Sequence, residues 1–198
     1  MPTDINPVRL SVWASGNGSN AENLANHFVN SGDIEIAHVL TNNPDAGVIQ
    51  RMSGLHIPLS IADNQLCADH DFLLKTMKNY KIDGIVLAGY LRLLPQGIIK
   101  AFENRIINIH PALLPDFGGK GMYGNRVHEA VIIAGKKESG ITIHLVNEFY
   151  DEGETLFQAS CLVDPEDNAD TLAQKIHRLE YEHFPVQVEK YFCRYFKR

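Results

Sequence analysis

Asn108 and His110 stand two apart in the run Ile107-Asn108-Ile109-His110-Pro111. On a strand, residues two apart share a face, so a carboxamide and an imidazole project together while Ile109 packs the other way. The pair suits acyl transfer, in which an amide N–H holds a developing oxyanion and a ring nitrogen handles a proton. Polar residues also end strands simply because the chain is surfacing, and the pair alone does not separate the two readings. A carboxylate follows further along, in Phe149-Tyr150-Asp151-Glu152-Gly153-Glu154. An Asp just ahead of a Gly is also ordinary turn chemistry.

A second cluster lies near the start, Ser15-Gly16-Asn17-Gly18-Ser19-Asn20. It sits between an apolar run and a helical pattern. Glycines there let a backbone approach an anion, and the opening turn of a helix offers N–H groups and a favourable dipole. The alternative is a tight turn in which Ser19 or Asn20 caps the helix. A dinucleotide loop does not fit. The third glycine of the G-x-G-x-x-G pattern is missing, and the next strand ends Leu40-Thr41-Asn42-Asn43 without an acidic residue for a ribose diol. The loop therefore reads as a site for one phosphate, with no NAD.

These groups need a scaffold. Apolar runs at Arg9–Ala14, Ile34–Thr41, Ile57–Ser60, Gly84–Ala88 and Ile106–Ile109 alternate with helical patterns at Ala21–Asn30, Gly47–Gly54, Asp71–Tyr80 and Pro95–Phe102. That rhythm predicts an α/β fold of one domain, a doubly wound and mostly parallel sheet with helices on both faces. Beyond Pro111 the texture changes. A Gly-rich loop (Phe117–Asn125) leads to a helix near Val127–Ala134 and to strands at Gly140–Leu145 and Thr155–Leu162. A helical tail from Asn168 follows, interrupted at Pro185. In such sheets ligands sit at the carboxyl ends of the strands, so the loops after Ala14, Ala88 and Ile109 are the ones to watch.

The net charge of −6 is spread over both halves without a basic face, which speaks against nucleic acid. Cys67, Cys161 and Cys193 are odd in number and far apart, which fits a reducing compartment and the cytoplasm. The opening MPTDINPVRL does not have the pattern of a secretory leader, and no apolar run has the length to cross a membrane. No His/Cys/carboxylate spacing matches a metal motif, so the expectation is no metal.

Taken together in order, Ser15–Asn20 (SGNGSN), Val86–Leu94 (VLAGYLRLL), Ile107–Pro115 (INIHPALLP), Gly140–Val146 (GITIHLV) and Tyr150–Gly153 (YDEG) resemble the glycinamide ribonucleotide transformylases. These are folate-dependent formyltransferases with a Rossmann-like fold. The resemblance implies that Asn108, His110 and Asp151 are catalytic, and that Gly18, Ser19 and Asn20 bind the acceptor phosphate through backbone N–H groups. It implies a pterin slot at Leu91, Arg92, Leu93 and Leu94, closed by Asn147, Glu148 and the rest of the loop to Asp151, with Asn108 also facing the folate. His177 and Glu180 match acceptor contacts, although from sequence alone they read equally as a solvated i,i+3 pair. Thr142 and His144 share a strand face and would support the site from behind; for His144 a plain buried histidine is the competing reading. A phosphate-binding half over about 8–105 and a catalytic and folate half over about 106–198 follow from the same match.

The implied substrates are 10-formyltetrahydrofolate and glycinamide ribonucleotide, with neither membrane nor nucleic acid as partner; the match admits a homodimer. The acceptor amine would attack the formyl carbon, Asn108 and a protonated His110 would hold the oxyanion, and Asp151 would assist proton transfer. One departure stands out: between Arg51 and Arg92 the chain has no arginine, where many of the family carry one for the folate tail. Three rival readings remain at this point. They are a formyltetrahydrofolate hydrolase, a formyltransferase acting on an aminoacyl-tRNA or amino sugar, and a non-catalytic nucleotide-binding module.

Overall fold

The strands of the computed structural model, which describes residues 6–197, form one sheet. Residues 1–5, part of the stretch read for a leader, lie outside the described residues. Strands β1 (Val8–Trp13), β2 (Ile34–Thr41), β3 (Leu59–Ile61), β4 (Gly84–Leu87), β5 (Ile106–His110), β6 (Glu138–Leu145) and β7 (Thr155–Leu162) lie in the order β3-β2-β1-β4-β5-β6-β7. The first five run parallel, β6 pairs antiparallel with β5, and β7 pairs antiparallel with β6. Gly140–Leu145 is buried on both faces like Gly84–Leu87, and it alternates in character because Thr142 and His144 make buried hydrogen bonds.

Alternation along each strand splits the core in two. Leu10, Val12, Val86 and Ile107 face a layer built with helices α1 (Ser19–Phe28), α2 (Gly47–Gly54), α6 (Asn125–Ile133) and α7 (Ala169–Tyr195). Trp13, Ile85, Leu87 and Ile106 face the opposite layer, with α3 (Asn64–Ala68), α4 (His70–Asn79) and α5 (Gln96–Ala101). Helices thus cover both faces, as the βαβα rhythm requires.

Three expectations need correcting. The weak strand lies at Leu59–Ile61, where Leu59, Ser60 and Ile61 register with Val39, Leu40 and Thr41 of β2. Helix α3 was not expected; its five residues are too few for a periodic signal, and its start is set by Asp63 accepting from Gln65 and Leu66 N–H. Finally, Pro185 does not interrupt the tail: α7 is continuous through it. A proline at 185 leaves the carbonyl of Tyr181 without its helical donor. The Asn23 side-chain amide donates to that carbonyl at 3.0 Å, so α1 supplies the hydrogen bond that Pro185 cannot.

A fully buried histidine inside this scaffold makes stability pH-dependent. His38 on β2 lies between Ser11 and Ser60, 2.9 Å from each hydroxyl, and stacks on Tyr80. Burial lowers its pKa to about 4. The unfolded ring protonates near 6.5, so the unfolded state binds the extra proton first. Stability is therefore full above that value and falls as pH drops toward 4. The shift corresponds to roughly 3 kcal/mol. Urea titrations at pH 7.5 and pH 4.5 should show His38→Gln losing about that much less stability over the interval than the parent; equal losses would remove His38 from the pH response.

Candidate active site

The chain leaves β1 toward β2 on one side and returns to β4 on the other, and the crevice at this switch in direction is where the candidate residues gather. A cavity of about 740 Å³ opens there, lined by the loops after β1, β4 and β5, by the Gly-rich loop and by α6 and α7. Ser15 joins two of these loops. Its N–H donates to Gly89 O at 3.0 Å, its hydroxyl donates to Asn42, and it accepts from Leu91 N–H at 2.9 Å.

On the loop Gly16–Asn20, neither Ser19 nor Asn20 caps α1. The capping position is Gly18, with left-handed backbone (φ 78°) and no side-chain acceptor for the first-turn N–H groups. Gly18, Ser19 and Asn20 line the cavity, and no side chain caps the first-turn donors, an arrangement suited to an anion. Asn20 instead donates to Glu180 at 3.0 Å. Sequence reasoning missed Arg51, whose guanidinium donates to both the carbonyl and the side-chain oxygen of Asn17 and pairs with Glu22.

Gly18 is required on grounds besides anion approach. A Cβ there would lie 2.4 Å from Val48 Cβ, on helix α2 packed behind the loop, and the positive φ would strain any larger residue. Gly18→Ala should therefore displace the loop at a cost of order 1–3 kcal/mol. It should raise the Kd for a phosphorylated acceptor at least tenfold with little change for folate. Calorimetric titration of each ligand checks this, and a loss confined to folate would reverse the assignment of the two pockets.

Asn108 and His110, on β5, do share a face, and Asp151 joins them. The Asp151 carboxylate lies 3.5 Å from His110 Nδ1 through Oδ2 and 3.5 Å from Asn108 Nδ2 through Oδ1. Oδ2 also accepts from Gly119 N–H at 2.8 Å. Asp151 adopts a left-handed backbone (φ 57°), which Asp tolerates better than most residues. Burial works to raise its pKa, while its neighbours, His110 and the Gly119 N–H among them, hold the carboxyl below the usual range.

His110 is buried, and Phe117 O lies 2.8 Å from its Nε2. A carbonyl can only accept, so Nε2 carries the hydrogen and Nδ1, facing Asp151, is where the ring gains or loses a proton. Burial pulls the His110 pKa down; the Asp151 charge and the Phe117 carbonyl push it back up without overcoming burial. The Gly-rich loop therefore anchors both partners of the pair, through Phe117 and Gly119. The sequence displayed its glycines but gave no sign of which backbone groups it would offer.

His144 is buried beside Asn108. Its Nδ1 donates to Leu145 O at 2.8 Å, which leaves Nε2 to accept from Asn108 Nδ2 at 3.0 Å. This fixes the Asn108 amide with its NH₂ toward His144 and Asp151. One N–H is taken by His144; the other has only the long contact to Asp151 and is free to serve a ligand. Thr142 braces the chain after β5, donating to Ala112 O at 2.7 Å and accepting from Leu114 N–H at 2.9 Å.

A second, smaller cleft adjoins Asn108, His144 and Asp151, with Arg92, Leu93, Leu94 and Asn147 among its walls. Leu93 and Phe149 are exposed beside it, apolar surface that a flat ring would cover. Two residues grouped with this slot lie elsewhere. Leu91 lines the larger cavity, and Glu148 lines neither, its carboxylate accepting from Gln96. His177 and Glu180 are not a merely solvated pair. Glu180 is buried, and it accepts through Oε2 from both Asn20 and His177, the latter at 2.8 Å. The Glu180 contact raises the His177 pKa.

Comparison with known proteins agrees with this geometry. A family model described as formyl transferase matches residues 8–188. The chain is 38% identical over 194 residues to the chloroplastic phosphoribosylglycinamide formyltransferase of Arabidopsis thaliana, covering 93% of this chain and 65% of that protein. It is 33% identical over 187 residues to the phosphoribosylglycinamide formyltransferase of Bacillus subtilis, covering 92% and 93%. The chain thus spans just under two thirds of the length of its plant relatives from Arabidopsis thaliana and Vigna unguiculata. Among solved structures, phosphoribosylglycinamide formyltransferase from Bacillus halodurans superposes with a TM-score of 0.82 at 34% identity, covering 92% of this chain and 94% of that one.

Proposed function

Since the chain belongs to the formyl transferase family, we propose that it transfers the formyl group of 10-formyltetrahydrofolate to the amine of glycinamide ribonucleotide, a step of purine biosynthesis. The observation that carries this reading is the convergence of Asn108, His110 and Asp151 at one point between the large cavity and the smaller cleft. The acceptor would lie in the first, its phosphate on the N–H groups of Gly18, Ser19 and Asn20. The pterin ring would lie in the second, against Arg92, Leu93, Leu94 and Asn147. His177 and Glu180 would contact the acceptor.

The neutral amine attacks the formyl carbon, and the carbonyl oxygen gains negative charge. The free N–H of Asn108 donates to it, with the positive charge of protonated His110 alongside. Such a donor is typically worth about 3–4 kcal/mol. The amine proton passes to the Asp151 carboxylate and then to the departing folate nitrogen, so the products are the formamide and tetrahydrofolate. No covalent enzyme intermediate, metal or NAD enters the scheme. The scattered cysteines, which fit a reducing compartment, support the reading of a cytoplasmic enzyme. No helix among the described residues is long and apolar enough to cross a membrane.

The test compares tetrahydrofolate release with glycinamide ribonucleotide, with its dephosphorylated riboside, and with water alone. The expected result is turnover that depends on the amine and a KM at least about 100-fold higher for the riboside, the loss of a charged contact of about 3 kcal/mol. Equal release in water alone would make the chain a hydrolase.

A further inference from the structure

Four histidines are buried among the described residues: His38, His110, His128 and His144. Three have both ring nitrogens engaged by protein groups. His38 has two serine hydroxyls, His110 has Phe117 O and Asp151, and His144 has Asn108 and Leu145 O. His128 differs. Its Nδ1 is sealed from solvent with no partner, and no protein group among the described residues engages Nε2. A buried polar atom left without a hydrogen bond costs about 1–3 kcal/mol, so the exception calls for an explanation.

Its position supplies one. His128 lies on α6 in the wall of the large cavity, with His177 and Glu180 of α7 and His110 within electrostatic reach. Glu180 spends only Oε2 on Asn20 and His177, leaving Oε1. An unspent acceptor and, in the same cavity wall, an imidazole that can donate or accept form a site for hydroxyl groups. A phosphate would meet carboxylate there, and burial also disfavours a positive charge on the His128 ring.

We propose that His128 is a specificity-determining residue that hydrogen-bonds, through Nε2, a sugar hydroxyl of the phosphorylated acceptor in the cavity wall it shares with Glu180. The identity of the whole acceptor rests on the function proposed above, but the hydroxyl contact does not require formyl transfer.

The probes are ribose 5-phosphate and its 2-deoxy and 3-deoxy analogues, titrated calorimetrically into the parent protein, His128→Leu and His128→Asn without folate. The parent should prefer ribose 5-phosphate over at least one deoxy analogue by about tenfold, one hydrogen bond's worth. His128→Leu should lose that preference and His128→Asn should keep part of it. The unliganded His128→Leu protein should melt no lower than the parent, because removing an unsatisfied buried polar group is close to neutral. Equal weakening of all three sugars, or unchanged binding, would overturn the proposal. Should His128→Leu fail to fold, histidine ¹⁵N spectra of the parent decide. The His128 ring signals should move with ribose 5-phosphate and stay in place with inorganic phosphate, and identical responses would overturn the proposal. Hydroxyl discrimination without formyl transfer would sink the proposed function and leave this contact standing.

Discussion

Asp151→Asn is expected to remain folded and to bind both substrates, while turnover falls by about 10²–10⁴-fold, the usual range for a general acid–base group. The substitution keeps the shape of the residue. Asn accepts the left-handed backbone found at position 151, and its carbonyl can still accept from Gly119 N–H. What is lost is the charge beside His110 Nδ1 and Asn108 Nδ2. Burial already depresses the His110 pKa, and the carboxylate is one of the groups that oppose it. Without it, protonated His110 becomes less favourable still. If catalysis uses the protonated ring, activity is lost as pH rises through the His110 pKa, and in the variant that loss should begin at lower pH. A fall in kcat with steady KM would mark an interaction made mainly in the transition state. Were Asp151 only a turn residue, the variant would be nearly silent and the pH profile unmoved.

Asn108→Ala carries the second large effect, about 10²–10³-fold in kcat, the range for deleting one oxyanion donor. It should leave acceptor binding nearly intact, because the assigned phosphate and hydroxyl contacts lie elsewhere in the cavity. The arrangement behind Asn108 sharpens the expectation. His144 orients the amide by accepting from Nδ2, with its own tautomer set by Leu145 O. His144→Ala should therefore lower kcat less than Asn108→Ala while moving it in the same direction, since the amide survives but can turn. Steady-state kinetics of both variants and the double variant test this. Non-additive losses are the expected sign that the two act as one unit; simple additivity would mean that His144 does not position Asn108.

Much of this was legible in the chain before any coordinates. The parallel strands showed as short apolar runs between helical patterns, and those runs placed the three loops that line the cavity. Period-two spacing was enough to put Asn108 and His110 on one face. What stayed hidden was backbone chemistry and long-range pairing. The Phe117 carbonyl and Gly119 N–H act as main-chain groups, so no side-chain type advertises them. Arg51 reaches Asn17, and Asn23 reaches the carbonyl that Pro185 leaves open, across separations that only the folded sheet closes. Whether Glu180 was solvated stayed open, because a helical period cannot say which neighbour covers a carboxylate. His128 gave no signal, since its distinguishing feature is the absence of a partner in the fold.

The central claim is direct transfer of formyl to an acceptor amine at Asn108, His110 and Asp151. It is tested most directly by following the carbon itself. With 10-formyltetrahydrofolate labelled in the formyl group and glycinamide ribonucleotide present, the products would be separated and weighed by mass spectrometry. The account predicts label in the formamide of the ribonucleotide, one equivalent per tetrahydrofolate released, with formate at trace level and the protein mass unchanged. Label recovered as formate whether or not the amine is present, or retained on the protein, would contradict it.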